Sequence, residues 1–146
     1  MKIRWLVTTG LAASILAACA SSDNELDEMA LDGWLDAYGA AWETKDPSAV
    51  AALFTEDARY RETPYAEPFE GRDAIADYWT TVTEDQADID FSYEAIAISG
   101  NTGIAQWSSQ FRSISGDVPV ELNGVFVLEF DEQAIVSSLR EWWHVR

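Results

Sequence analysis

Apolar positions recur along this chain at two periods, and the change from one to the other divides it. Leu31, Trp34, Leu35, Tyr38, Ala41 and Trp42 follow a spacing of three and four. That spacing predicts a long amphipathic helix ending near Thr44. Asp46-Pro47 then restarts the chain. Asp is a favoured N-cap, and Pro loses nothing at the first helical position, where its missing N–H has no partner to miss. Val50, Leu53 and Phe54 give a short second helix. Ala58 to Thr63 reads as a short strand, and Pro64 to Gly71, holding Pro64, Pro68 and Gly71, as a loop. Asp73 to Val82, with Ile75, Tyr78 and Trp79, reads as a third helix.

After about residue 88 the period becomes two. Ile89, Phe91, Tyr93, Ala95 and Ala97 alternate with mostly polar neighbours. The run Ser99 to Gly103 is a turn, and Ala105, Trp107, Ser109 and Phe111 share a face of the next strand. Ser115-Gly116-Asp117 turns again. Val118, Val120, Leu122, Gly124, Phe126, Leu128 and Phe130 then alternate cleanly. Asp131-Glu132-Gln133 is the last turn, and Ile135 to Val145 the last strand. Helices followed by consecutive strands on short turns predict an α+β fold with an antiparallel sheet.

The segment before the first helix has a different character. Lys2 and Arg4 precede an apolar run from Trp5 to Ala18, too short for a comfortable membrane span and about right for a signal peptide. Its end, Leu16-Ala17-Ala18-Cys19, resembles a bacterial lipobox. The resemblance implies cleavage after residue 18, lipid on Cys19 and membrane attachment through that lipid. The alternative is an ordinary secretory signal with a chance Cys. Ala20 after the Cys, in place of an Asp, implies the outer membrane, facing the periplasm. Ala20 to Asp27 is small, polar and acidic, and reads as a tether. The expected organisation is therefore a signal peptide at 1–18, a lipidated Cys and tether at 19–27, and one domain at 28–146.

Composition narrows the chemistry. The chain has 146 residues, with 9 Lys and Arg against 26 Asp and Glu, for a net charge of −17. Such a field repels a phosphate backbone and argues against nucleic-acid binding. Hydrophobic residues make up 48% of the chain and it has seven Trp, which argues against disorder. One Cys and one His exclude an internal disulfide and a typical zinc site. No phosphate loop or nucleophile elbow is present, so no metal or cofactor is expected. Carboxylates, Arg, Tyr, hydroxyls or an apolar pocket must carry the chemistry.

The order of elements resembles the nuclear transport factor 2-like superfamily, and in particular its SnoaL-like branch. The residues that carry the resemblance are Tyr38 to Trp42, Asp46-Pro47 and Leu53 to Ala58. With them go Pro68, Gly71 to Ile75, Leu122 to Phe126 and Arg140 to His144. The resemblance implies a cone: a curved antiparallel sheet wrapped over three helices, with a pocket at the open end. Members include isomerases, cyclases, dehydratases, epoxide hydrolases and pure binding modules, so the fold alone selects no function. In the ketosteroid isomerase branch the first helix presents a Tyr to the substrate oxygen, and Tyr38 is the similar position. The general-base Asp of that branch falls at Thr63, and its protonated Asp at Phe126. Thr63 cannot be a base at neutral pH, which argues against that chemistry in its familiar form.

The resemblance also implies a pocket wall of Trp42, Phe54, Thr63, Trp79, Trp107, Phe126, Leu139 and Trp143. Such a wall suits a small apolar or aromatic molecule. The alternative is that these aromatics fill the cone. Alternation puts Arg61 on the face of Thr63, and Glu141 on the face of Leu139 and Trp143. Two charges inside a cone are expected to pair. They form either a structural salt bridge or, with Tyr38, a catalytic set in which Glu141 is a base and Arg61 anchors an oxyanion. His144 shares the face of Trp142 and is expected outside. The resemblance also implies that the outer face of the sheet can make a homodimer, a contact that Trp142 could serve. The leading expectation is binding of a small apolar molecule. The alternatives are an isomerase, dehydratase or hydrolase, or an interaction module with no ligand.

Overall fold

The computed structural model describes residues 25–146. The expected leader at 1–18 and Cys19 lie outside these residues. Helix α1 spans Glu28–Glu43, and α2 spans Pro47–Ala52. Both start on a cap the sequence supplies. Asp27 Oδ1 accepts from the Ala30 amide at 2.8 Å, and Asp46 Oδ1 from the Ala49 amide at 3.0 Å. Strand β1 spans Phe54–Arg61 and β2 Phe69–Glu70, followed by α3 at Arg72–Glu84. A meander completes the chain: β3 Gln86–Ser99, β4 Thr102–Ser113, β5 Val118–Phe130 and β6 Val136–Val145.

The six strands form one open sheet in the order β2-β1-β6-β5-β4-β3. Its inner face packs on α1 and α3, burying Trp34, Tyr38, Ile75 and Trp79 among Ala105, Phe126 and Leu139. The fold is α+β, as expected, with three differences of detail. Phe54 opens β1 rather than closing α2, because Leu53 caps the helix and its carbonyl is taken by the Trp34 indole at 3.0 Å. Phe69 and Glu70 form a two-residue strand within the expected loop, paired antiparallel to Tyr60 and Arg59. The sheet is not wholly antiparallel, because β1 and β6 run parallel, from Phe54↔Val136 to Arg61↔Arg140.

Gly124 shows how tightly the concave face is packed. A Cβ there would lie 2.6 Å from the Trp142 carbonyl oxygen and 2.8 Å from Trp107 Cε2. The absence of a side chain lets the Trp107 indole lie across β5, stacked on Phe126 at 5.1 Å between ring centroids.

Candidate functional site

A cavity of about 310 Å³ opens on the concave face. It lies at the end of the molecule where α1 finishes, α3 passes into β3, and the β4–β5 hairpin and the C-terminal ends of β1 and β6 converge. Rings make most of its wall: Tyr38 and Trp42 from α1, Tyr78 and Trp79 from α3, Trp107 from β4 and Trp143 from β6. Val82, Phe111, Val120 and Val145 line the remainder with apolar surface. The cone is therefore hollow rather than filled. The rings brace one another edge to face, with Tyr38 5.3 Å from Trp79 and Trp42 5.1 Å from Trp79. Such contacts fix ring orientation beyond what area burial alone would do.

One carboxylic acid enters this apolar space. Glu141, on β6 opposite Phe126, is 5% exposed and lines the cavity. Tyr60 Oη donates to Glu141 Oε1 at 2.9 Å, and Tyr38 Oη lies 3.0 Å from Tyr60 Oη. The three groups form a buried chain from β6 through β1 to α1. Burial pushes the Glu141 carboxyl up to about 8, and the nearby Glu62 charge pushes the same way. The hydrogen bond from Tyr60 acts in the opposite sense. Burial, then the Glu141 charge, holds both Tyr38 and Tyr60 well above the usual phenol range. Glu141 is thus a neutral acid at neutral pH. Its Oε1 accepts from Tyr60, which leaves Oε2 for a bound molecule.

A second carboxylate, Glu62, lines the same cavity beside Tyr78. Burial first, then the charges of Glu141 and Glu62, raises the Tyr78 phenol. Gln86, at the start of β3, is also buried against the cavity, and its Oε1 accepts from the Trp42 indole at 2.8 Å. Among the described residues no group of three or more His, Cys, Asp or Glu is placed to hold a metal ion.

The expected residues divide into three groups. Tyr38, Trp42, Trp79, Trp107, Trp143 and Glu141 line the cavity. Phe54, Phe126 and Leu139 are fully buried behind it and belong to the core. Arg61 and Thr63 are half-buried and stand outside its lining. None of the ion pairs among the described residues contains Arg61 or Glu141, so the expected pairing does not form. The correction is one of parity. Ala58 and Tyr60 are the buried residues at the end of β1, so the cavity face continues to Glu62. Arg61 falls on the other face, opposite Arg140, where its charge keeps some water. Counting by two from Ala58 would have found both Tyr60 and Glu62. Gln86 had no such signal, because it precedes the alternating run. His144 is exposed on the outer face, and Trp142 is 45% exposed there.

Comparison with known proteins follows the same outline. A steroid Δ-isomerase of Nocardioides simplex is 28% identical over 97 residues, covering 66% of this chain and 76% of that protein. SalBIII is an epoxide hydrolase/cyclase-like enzyme with a role in pyran ring formation in the polyether salinomycin. Its structure superposes with a TM-score of 0.71 at 18% identity, over 82% of this chain and 96% of that one. A protein of ketosteroid isomerase-like fold from Catenulispora acidiphila, in complex with trimethylamine, superposes with a TM-score of 0.67 at 16% identity. That match covers 75% of this chain and 83% of that one. The SnoaL-like domain family matches residues 35–138, from the middle of α1 into β6. With that span, and with a cone of helices and curved sheet around an end-on cavity, the chain belongs to the SnoaL-like domain family.

Proposed function

We propose that this domain binds a small, largely apolar molecule in the aromatic cavity and catalyses an acid–base rearrangement of it, of the isomerase or cyclase type. The observation that carries the reading is the buried Glu141, neutral at neutral pH and joined to Tyr60 and Tyr38. A neutral carboxyl group among apolar walls is a proton or hydrogen-bond donor for an oxygen that gains charge during reaction. Glu62 supplies the complementary carboxylate on the same wall. For a β,γ-unsaturated ketone the step balances without a cofactor. Glu62 takes the proton between the carbonyl and the double bond, and the electron pair moves onto the oxygen. The Glu141 end of the chain stabilises that oxygen, and the proton returns to the γ carbon to leave the conjugated isomer. The activity of the Nocardioides simplex relative and the fold of SalBIII support this class of reaction. Arg61, half-buried outside the cavity lining, has no part in it.

The test is conversion of a simple aromatic β,γ-unsaturated ketone, followed by absorbance of the conjugated product. The wild-type chain should exceed the buffer rate, and Glu141→Gln and Glu62→Gln should each lower kcat by about 10²-fold or more. No acceleration, or unchanged turnover in both variants, overturns the reading. Retained affinity without turnover would favour a pure binding role, the reading that the aromatic lining alone supports.

We further propose lipid attachment at Cys19 and a periplasmic location, supported by the leader and the Leu16 to Cys19 run. Mass spectrometry of the mature chain should find diacylglycerol on Cys19. An unmodified thiol there would rule the anchor out.

A further inference from the structure

Three buried polar atoms among the described residues have no partner: two indole nitrogens and the Ser109 hydroxyl, which lies on the face of β4 that carries Trp107 and Phe111. Trp79 Nε1 and Trp107 Nε1 are both buried with no acceptor, and both residues line the cavity. Gln86, 6% exposed, adds a third donor. Its amide orientation is fixed by chemistry: Trp42 Nε1 can only donate, so the Gln86 oxygen must face it, and Nε2 is the group left over. The backbone beneath is clamped as well, since Lys45 Nζ donates to the Gln86 carbonyl at 2.9 Å. Unlike the two indole nitrogens, Gln86 Nε2 is not sealed from the cavity, so a ligand there can supply its acceptor.

Position gives this donor a meaning separate from the Glu141 chain. Gln86 lies on β3 and Glu141 on β6, with β4 and β5 between them. Register separates them further: Gln86 pairs with Ser113 and so lies level with Val118 on β5, whereas Glu141 pairs with Phe126. Trp79 stands between the two, its ring 6.5 Å from Tyr60 and 5.1 Å from Trp42. Both residues line the one cavity, so a molecule that fills it along the rings meets both. Its charge is also constrained. Two Glu and no Lys or Arg line the cavity, which disfavours an anion. The open amide donor of Gln86 disfavours a cation beside it.

We propose that Gln86 is a specificity-determining residue, whose Nε2 donates to an uncharged oxygen, a carbonyl or an ether, carried by the ligand at the end remote from Glu141. The inference rests on the cavity being a small-molecule site and adds a ligand class: neutral, elongated, with oxygen at both ends. The test uses 2-naphthol, with one oxygen, and 6-acetyl-2-naphthol, with two, titrated calorimetrically into the full-length chain. The wild type should bind the acetyl compound about 10-fold more tightly. Gln86→Glu keeps an acceptor for Trp42 Nε1 but removes the donor. It should erase that preference, read within each protein as the ratio of the two affinities. Gln86→Met, a neutral control, should do the same, and thermal unfolding shows that each variant is folded. An undiminished preference in both folded variants, or no preference in the wild type, overturns the proposal while the cavity reading stands. Failure of both naphthols to bind overturns the two together. Tighter binding of the trimethylammonium counterpart than of the acetyl compound replaces the oxygen acceptor with an organic cation and likewise overturns it.

Discussion

At Glu141, burial of a single carboxyl group ties the stability of the fold to pH. An unfolded chain titrates this residue at its ordinary 4.5, and the folded domain at about 8. Between those values the folded state holds a proton that the unfolded state has lost, so raising the pH favours unfolding. The advantage of the neutral carboxyl is complete below about 4.5 and is gone above about 8. Glu141→Gln keeps the shape and an oxygen to accept from Tyr60, and it cannot ionise. In urea unfolding from pH 5 to 9, the variant should gain on the wild type by up to about 1.4 kcal/mol per pH unit, levelling off above pH 8. Parallel curves for the two proteins would show that Glu141 ionises as freely in the fold as in water. The residue was visible in the sequence as a charge interrupting an apolar face. Its partner was not, because a buried acid is satisfied as readily by a tyrosine as by an arginine, and composition does not say which.

At the scale of elements, the sequence was legible where periodicity is uniform and less so on β1. α1 shows its buried stripe at Leu31, Trp34, Leu35, Tyr38 and Trp42, and β5 its inner face from Gly124 to Phe130. The errors of placement cluster on β1. Its pairing with β6 shifts register between Phe54 and Arg59, and Glu56 is exposed although it shares the parity of Phe54 and Ala58. The phase survives that break, since Phe54, Ala58, Tyr60 and Glu62 share one parity; the error was to take Thr63 as inward from the resemblance, which brought Arg61 in with it and put Tyr60 and Glu62 out. A parallel β1–β6 ladder is also invisible locally, since it joins segments from the two ends of the domain. Gly124 belongs to this scale because its role is to let one strand carry the Trp of its neighbour. Gly124→Ala would press a methyl group on Trp107 Cε2 and on the Trp142 carbonyl. It should cost about 1–3 kcal/mol in thermal unfolding. The same shift should weaken 2-naphthol binding, because Trp107 and Trp143 both line the cavity. Unchanged stability together with unchanged affinity would mean that the two strands part without effort.

Over the whole molecule, the balance of 26 acidic against 9 basic residues is not a product of the cavity, which holds only two carboxyl groups. Residues 1–18 carry two of the nine basic residues and no acidic one, so without them the chain would be more acidic still. The ion pairs among the described residues, such as Arg59–Glu70 at 2.8 Å and Arg140–Glu129 at 3.4 Å, are all solvent-exposed. Exposed pairs contribute little, about 0–1 kcal/mol each, and salt screens them. The repulsion among the unpaired carboxylates is screened by the same ions and involves many more charges. The net effect of salt is therefore set by repulsion. Between about 0.01 M and about 0.15 M sodium chloride the screening length falls from about 30 Å to about 8 Å, shorter than the domain is wide. The Tm at pH 7 should rise over that interval and flatten beyond it, while the Glu141 contribution, buried away from the ions, should stay constant. A Tm that falls with added salt would mean that the few surface pairs outweigh the acidic excess. The buried chain of Tyr38, Tyr60 and Glu141 and the acidic exterior are thus separable: pH reads the first, and ionic strength reads the second.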